Sequence, residues 1–185
     1  MLGLLALSVI LGSCKNESQE KKEVTNPTQD EAVLESNKGQ AFIEDEASTP
    51  NILQIALKSS DHSTLVAAVQ AAELENALVN AGPLMVFAPT NAAFDALPPG
   101  TVEDLLKPEN KDALANILKY HVTPGNYSKD FLKNFKKLGQ ANNQNVAVEV
   151  KDNEVYVGGA KIIASVSAGN GIVHVVDKVI LPPTQ

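Results

Sequence analysis

The chain has 185 residues, of which 44% are hydrophobic, and a formal net charge of −7 from 15 basic and 22 acidic side chains. This acidic balance, with every basic residue a lysine, excludes a nucleic-acid binder, which needs a basic face and gains from bidentate guanidinium forks. Cys14 is the only cysteine, so no intrachain disulfide can form.

Residues 2–11 (Leu-Gly-Leu-Leu-Ala-Leu-Ser-Val-Ile-Leu) form an apolar run followed by Gly12-Ser13-Cys14. The run falls short of the ~20 residues needed for a membrane span and fits a signal-peptide core with small residues at its cleavage site. Leu11-Gly12-Ser13-Cys14 resembles a bacterial lipobox. Residues 1–13 are therefore expected to be a lipoprotein signal peptide, and Cys14 the acylated residue that holds the protein to a membrane. Lys15, where aspartate would signal inner-membrane retention, points to the outer membrane or cell surface of a Gram-negative bacterium. Residues 14–48 read as a disordered, lipid-anchored linker. They carry nine acids against four lysines and few large apolar side chains, too little to offset the entropy of ordering.

From residue 49 the pattern changes. Ile52, Leu53, Ala56 and Leu57 make one apolar helical stripe. A second helix, capped by Asp61 or Ser63, carries Leu65, Ala68, Val69 and Ala72. A third, with Leu74, Ala77, Leu78 and Ala81, stops at Gly82-Pro83. Residues 84–88 read as a buried strand, and Thr90 as the N-cap of a short helix running to Leu97. Thr101 and Asp104 have capping-box spacing. Pro108 suits a first helical turn, behind which Ala113, Leu114, Ile117, Leu118 and His121 share a face.

The second half reads as strands. Val146, Val148 and Val150 alternate with Ala147 and Glu149, and Asp152-Asn153 turns the chain into Val155-Tyr156-Val157. Gly158-Gly159 is the next turn and residues 161–167 the next strand. Asn170-Gly171 favours a type I′ turn, after which residues 172–181, apolar on both faces, should form an interior strand. Helices first and strands later predict an α+β domain over residues 49–185.

Three segments carry a resemblance: Val86-Phe87-Ala88-Pro89-Thr90-Asn91-Ala92-Ala93-Phe94, the central Tyr120-His121-Val122-Thr123-Pro124-Gly125, and Gly169-Asn170-Gly171-Ile172-Val173-His174-Val175-Val176-Asp177. In this order they resemble the two homology segments and the Tyr-His motif of the fasciclin domain. The resemblance implies a wedge-shaped β-sandwich decorated with helices, and cell–cell, cell–matrix or biofilm adhesion through a protein or glycan partner. The alternative is a periplasmic or surface lipoprotein that binds a soluble ligand or polysaccharide. Thr90, Asn91, Tyr120, His121, Asn170, Gly171 and His174 are then mainly structural, with Thr90 or Asn91 bracing the Tyr-His motif. The acidic residue that many animal members use for integrin binding falls at Ser165-Val166, where a hydroxyl replaces the carboxylate.

No enzyme is expected. Residues three apart on a strand point to opposite faces, so His174 and Asp177 cannot pair along one. There is no nucleophile elbow. Gly169-Asn170-Gly171 lacks the third glycine of a dinucleotide fingerprint. Three scattered histidines without a second cysteine give no zinc spacing, so neither cofactor nor metal is expected. His62, in a polar turn, reads as solvated. The candidate partner surface is residues 129–137, where Lys133, Lys136 and Lys137 would offer a basic patch to an acidic glycan. Phe131, Leu132 and Phe135 on the same segment either join that surface or seat the segment on the core.

Overall fold

A computed structural model of the protein describes residues 49–80 and 82–183. The expected signal peptide, Cys14 and linker lie outside the described residues.

Among the described residues, seven short α-helices run in chain order: α1 (Ile52–Leu57), α2 (Ser63–Ala71), α3 (Glu75–Asn80), α4 (Asn91–Asp95), α5 (Thr101–Leu105), α6 (Lys111–Tyr120) and α7 (Lys129–Leu132). Seven strands accompany them: β1 (Leu84–Pro89), β2 (Val122–Pro124), β3 (Lys137–Gly139), β4 (Asn145–Lys151), β5 (Glu154–Val157), β6 (Ala160–Ala168) and β7 (Gly171–Val176). The class is α+β, as the order of patterns predicts.

The strands pair in the order β2-β1-β7-β6-β5-β4-β3. β1 and β7, the strands of the two outer motif segments, lie parallel, with Leu84 opposite Gly171 and Phe87 opposite His174. At the two ends of this order the chain makes further bonds. The Ala141 N–H donates to the Val122 carbonyl at 2.7 Å, and Thr123 Oγ1 donates to Gln140 Oε1 at 3.0 Å. Both side chains of the second bond are buried, so each polar group meets the partner that burial demands.

β1 is buried along its whole length because its two faces serve two cores. Met85 and Phe87 point into a cluster with Leu132, Val155, Val157, Ile162 and Val176. Leu84, Val86 and Ala88 point the other way, among Leu53, Leu65, Val69, Leu114 and Leu118 of the helices. Burying a side chain such as Phe87, which is fully enclosed, stabilises by about 1.5–3 kcal/mol.

Several local expectations are corrected. The second helix is capped by neither Asp61 nor Ser63: His62 holds the N-cap position without a side-chain bond. Gly100, at φ 84°, holds the N-cap position of α5, so Thr101 is the first helical residue and no Thr101 capping box forms; Asp104 pairs instead with Lys107 at 2.6 Å. The last strand stops at Val176 rather than Leu181. Asp177 leaves the sheet there and accepts the Lys161 N–H on Oδ1 at 2.7 Å. The positive-φ pair stands at Asp152-Asn153 (φ 50° and 65°), between β4 and β5. Asn170 has no positive φ. Ala168 pairs with Gly171, which places Gly169-Asn170 at the centre of the turn and frees the Asn170 side chain for tertiary bonds.

Candidate functional site

The motif residues sit where the chain crosses between its two cores. Thr90 caps α4, accepting the Ala93 N–H on Oγ1 at 3.3 Å. Asn91 supplies the cap that the sequence of α2 lacks. Its Oδ1 accepts the Thr64 N–H at 3.0 Å, and its Nδ2 donates to the Ser60 carbonyl and Ser63 Oγ at 2.9 and 3.0 Å. An N-terminal donor left open would cost about 0.5–2 kcal/mol, so α2 depends on a residue 27 positions downstream. Asn170 plays the same part elsewhere. It accepts the Ile52 N–H at 3.0 Å and donates to the Leu78 and Val79 carbonyls at 2.7 and 3.3 Å, joining α1 to α3.

The hydrogen bonds of the Tyr-His motif do not run to Thr90 or Asn91. Tyr120 donates from its hydroxyl to the Asn145 carbonyl at 3.1 Å. His121 donates from Nδ1 to the Ile117 carbonyl and accepts the Ile180 N–H on Nε2, each at 2.9 Å. The Nε2 partner is itself a donor, which fixes the tautomer. Burial lowers the His121 pKa to about 4, against the Ile117 carbonyl, which raises it. The ring is therefore neutral at pH 7. It ties the end of α6 to the C-terminal segment after the last strand has left the sheet.

His174 is fully buried and stacked on Phe87, with ring centroids 5.9 Å apart. Nε2 lies 2.9 Å from the Tyr127 carbonyl and must donate, so Nδ1 accepts from Ser165 Oγ at 2.7 Å. Burial lowers its pKa as well. Ser165 here satisfies a buried imidazole. His62 is corrected too: it is buried rather than solvated, with Nδ1 2.8 Å from Ser59 Oγ. The short 3₁₀ turn Ser60–His62 carries the ring inward, and burial lowers its pKa. Among the described residues, no three His, Cys, Asp or Glu side chains gather as a metal site.

The other candidate surface is aromatic. α7 opens with a Ser128 cap and sends Leu132 into the sheet core, where it is fully buried. Phe135 and Tyr127 pack partly against the same core. Phe131 lies over them, 50% exposed. Its ring is 5.6 Å from Tyr127 and 5.5 Å from Phe135, within the range of favourable ring pairs. The segment thus does both things expected of it: Leu132 and Phe135 seat it, and Phe131 remains presented.

Sequence reading missed Tyr127, which lies in the loop before the Ser128 cap, outside the helix; the folding of that loop and of the turn after α7 brings Tyr127 and Phe135 to Phe131. The three lysines are not equivalent. Lys133 pairs with Asp130 at 2.9 Å and donates to Asn153 Oδ1 at 3.0 Å; its hydrogen bond holds the Asp130 carboxyl below the usual carboxylate range. Lys136 and Lys137 are exposed. Lys129 is structural, bonded to Glu154 at 2.6 Å and to the Ile162 carbonyl at 3.0 Å.

The fasciclin domain model matches residues 60–182, spanning all three motif segments. Protein sll1483 of Synechocystis sp. is 46% identical over 160 residues, covering 85% of this chain and 88% of that protein. The cell surface glycolipoprotein MPB83 of Mycobacterium bovis is 36% identical over 107 residues, covering 58% of this chain and 47% of that protein. Among solved structures, a FAS1 domain pair from the insect cell adhesion molecule fasciclin I aligns with a TM-score of 0.49 at 20% identity. That alignment covers 61% of this chain and 42% of the other.

Proposed function

Because this chain belongs to the fasciclin domain family, we propose that it is an exported, surface-attached module that mediates cell adhesion or matrix contact by binding a protein or an acidic glycan. The observation that carries this reading is the division of labour among its side chains. The histidines and asparagines of the family segments spend their hydrogen-bonding groups inside the fold. The exposed Phe131 ring and the exposed side chains of Lys136 and Lys137 do not. Binding through such a face needs no nucleophile, acid–base pair or metal.

On this reading Lys133, Lys136 and Lys137 meet the partner, with Lys136 and Lys137 contributing most because Lys133 already answers Asp130. Reversing all three to glutamate should leave stability within about 0.5–1 kcal/mol, as for exposed charges and one surface ion pair. Attachment of cells displaying the variant should fall in low salt, where charges act over longer distances. Equal attachment of wild type and variant at low salt would remove the lysines from the contact.

Attachment to the membrane is proposed to run through Cys14. The relative named a cell surface glycolipoprotein supports this, as does the small-residue run before the only cysteine. Cys14→Ala should lose fatty-acid labelling and appear in the soluble fraction. Fractionation of the variant with membranes, as for wild type, would refute the anchor.

A further inference from the structure

Between the helices and the outer face of β1 lies a cavity of about 200 Å³, lined almost entirely by apolar side chains. Its floor is Val86, Ala88 and Val173, and Leu53, Val69 and Leu118 form part of its walls. Small residues stand at Ala56, Ala77, Ala88 and Ala141, where larger side chains would fill the space. The volume exceeds the ~150 Å³ of an engineered apolar cavity that stays dry and takes up benzene. Water entering here would find almost no partner, since His121, the ring that reaches the lining, has both nitrogens bonded elsewhere.

The mouth differs from the interior. Ala77, Lys119 and Ala141 are exposed. Lys119, in the last turn of α6, is the only lysine among the lining residues, and among the described residues no ion pair engages it. An apolar cavity with one cation at its lip matches a single-chain amphiphile with an anionic head.

We propose that this cavity binds a fatty acid, with the alkyl chain between α1, α2 and β1 and the carboxylate at Lys119. The chain supplies the dispersion contacts that the lining atoms lack, and the carboxylate stays in water beside the ammonium. The inference does not rest on the adhesive reading, since the cavity and the Phe131 surface share no residue.

The test is isothermal titration of the full chain with decanoate and, in parallel, decanol. Decanoate should bind saturably at one site per chain, and decanol more weakly. Lys119→Glu, at an exposed position, should weaken decanoate about five-fold, the scale of a surface ion pair and its reversal, and leave decanol unchanged. Ala56→Phe, which grows into the cavity from α1, should abolish binding of both while a thermal scan reports a folded domain. If Ala56→Phe unfolds, the Lys119→Glu comparison alone decides. Absence of saturable decanoate binding overturns the proposal, as does decanoate binding that survives in folded Ala56→Phe or ignores Lys119→Glu. Sedimentation showing a dimer that decanoate does not perturb would assign the opening to a second copy, and overturns it equally.

Discussion

Gly171→Ala should destabilise the domain by about 4 kcal/mol, in the tail of single-substitution effects that signals a specific structural conflict. A β-carbon at this position would stand 1.8 Å from the Leu84 carbonyl oxygen and 2.8 Å from its carbon. Both are backbone atoms of the paired strand, so no side-chain rotation relieves the contact. To accept it, β7 must move from β1 where the parallel register begins with Leu84 opposite Gly171. The bond from the Leu84 N–H to the Asn170 carbonyl, 3.0 Å long, would open with it. Gly159→Ala is the control. It has positive φ (81°) but nothing within 4 Å of an added β-carbon, so only conformational strain of about 1–2 kcal/mol applies. Chemical denaturation of the two variants should separate them by at least ~2 kcal/mol. Equal midpoints would mean that β1 and β7 are not packed this closely.

The second large effect is acid sensitivity centred on His121. The native imidazole, lowered to about 4 by burial, stays neutral where the unfolded one, near 6.5, takes up a proton. Between these values the unfolded chain binds more protons than the native chain, so stability rises with pH. The stabilisation is complete above about pH 6.5 and is lost as pH falls through about 4; at 1.36 kcal/mol per pKa unit the loss is about 3 kcal/mol. His174 and His62, lowered in the same direction by burial, steepen the decline. His121→Ala should cost about 2–4 kcal/mol at pH 7, from the cavity and from the unanswered Ile180 N–H. It should also flatten the pH dependence between 6.5 and 4. A variant as stable as wild type, with an unchanged acid slope, would contradict the assignment of this ring to the fold.

Reading the chain found the elements wherever local pattern and tertiary environment agree. The alternating valines of β4, the apolar run of β1 and the Thr90 cap are of this kind, because side-chain period and capping chemistry are local properties. Errors came where a distant partner decides. Nothing near residue 62 announces that Asn91 will cap α2. Nothing in Asn-Gly says that the asparagine side chain will be taken by Ile52, Leu78 and Val79, which leaves the mirror-image turn unused. The partner of His121 is hidden from local pattern for the same reason, since Ile180 lies 59 residues away. His174 was readable as a core group from the apolar neighbours on its face, but Ser165 and Tyr127 as its partners were not. Of the candidate surface, the lysines stand out in sequence. The stacking of Phe131 on Tyr127 appears only once α7 and the loop before it are folded, and the apolar cavity is wholly a property of packing between layers.

The central claim is that the family segments build the fold while contact with a partner is made at the Phe131 face. Its most direct test is the attachment of cells displaying Phe131→Ser, measured against wild type at equal surface density. Half of this ring is already in water, so its removal should cost no more than about 1.5 kcal/mol of ring contact and leave the domain folded. The account predicts that attachment falls by at least about ten-fold, the scale of an exposed aromatic anchor at an interface. Attachment equal to wild type from a folded Phe131→Ser domain would contradict it.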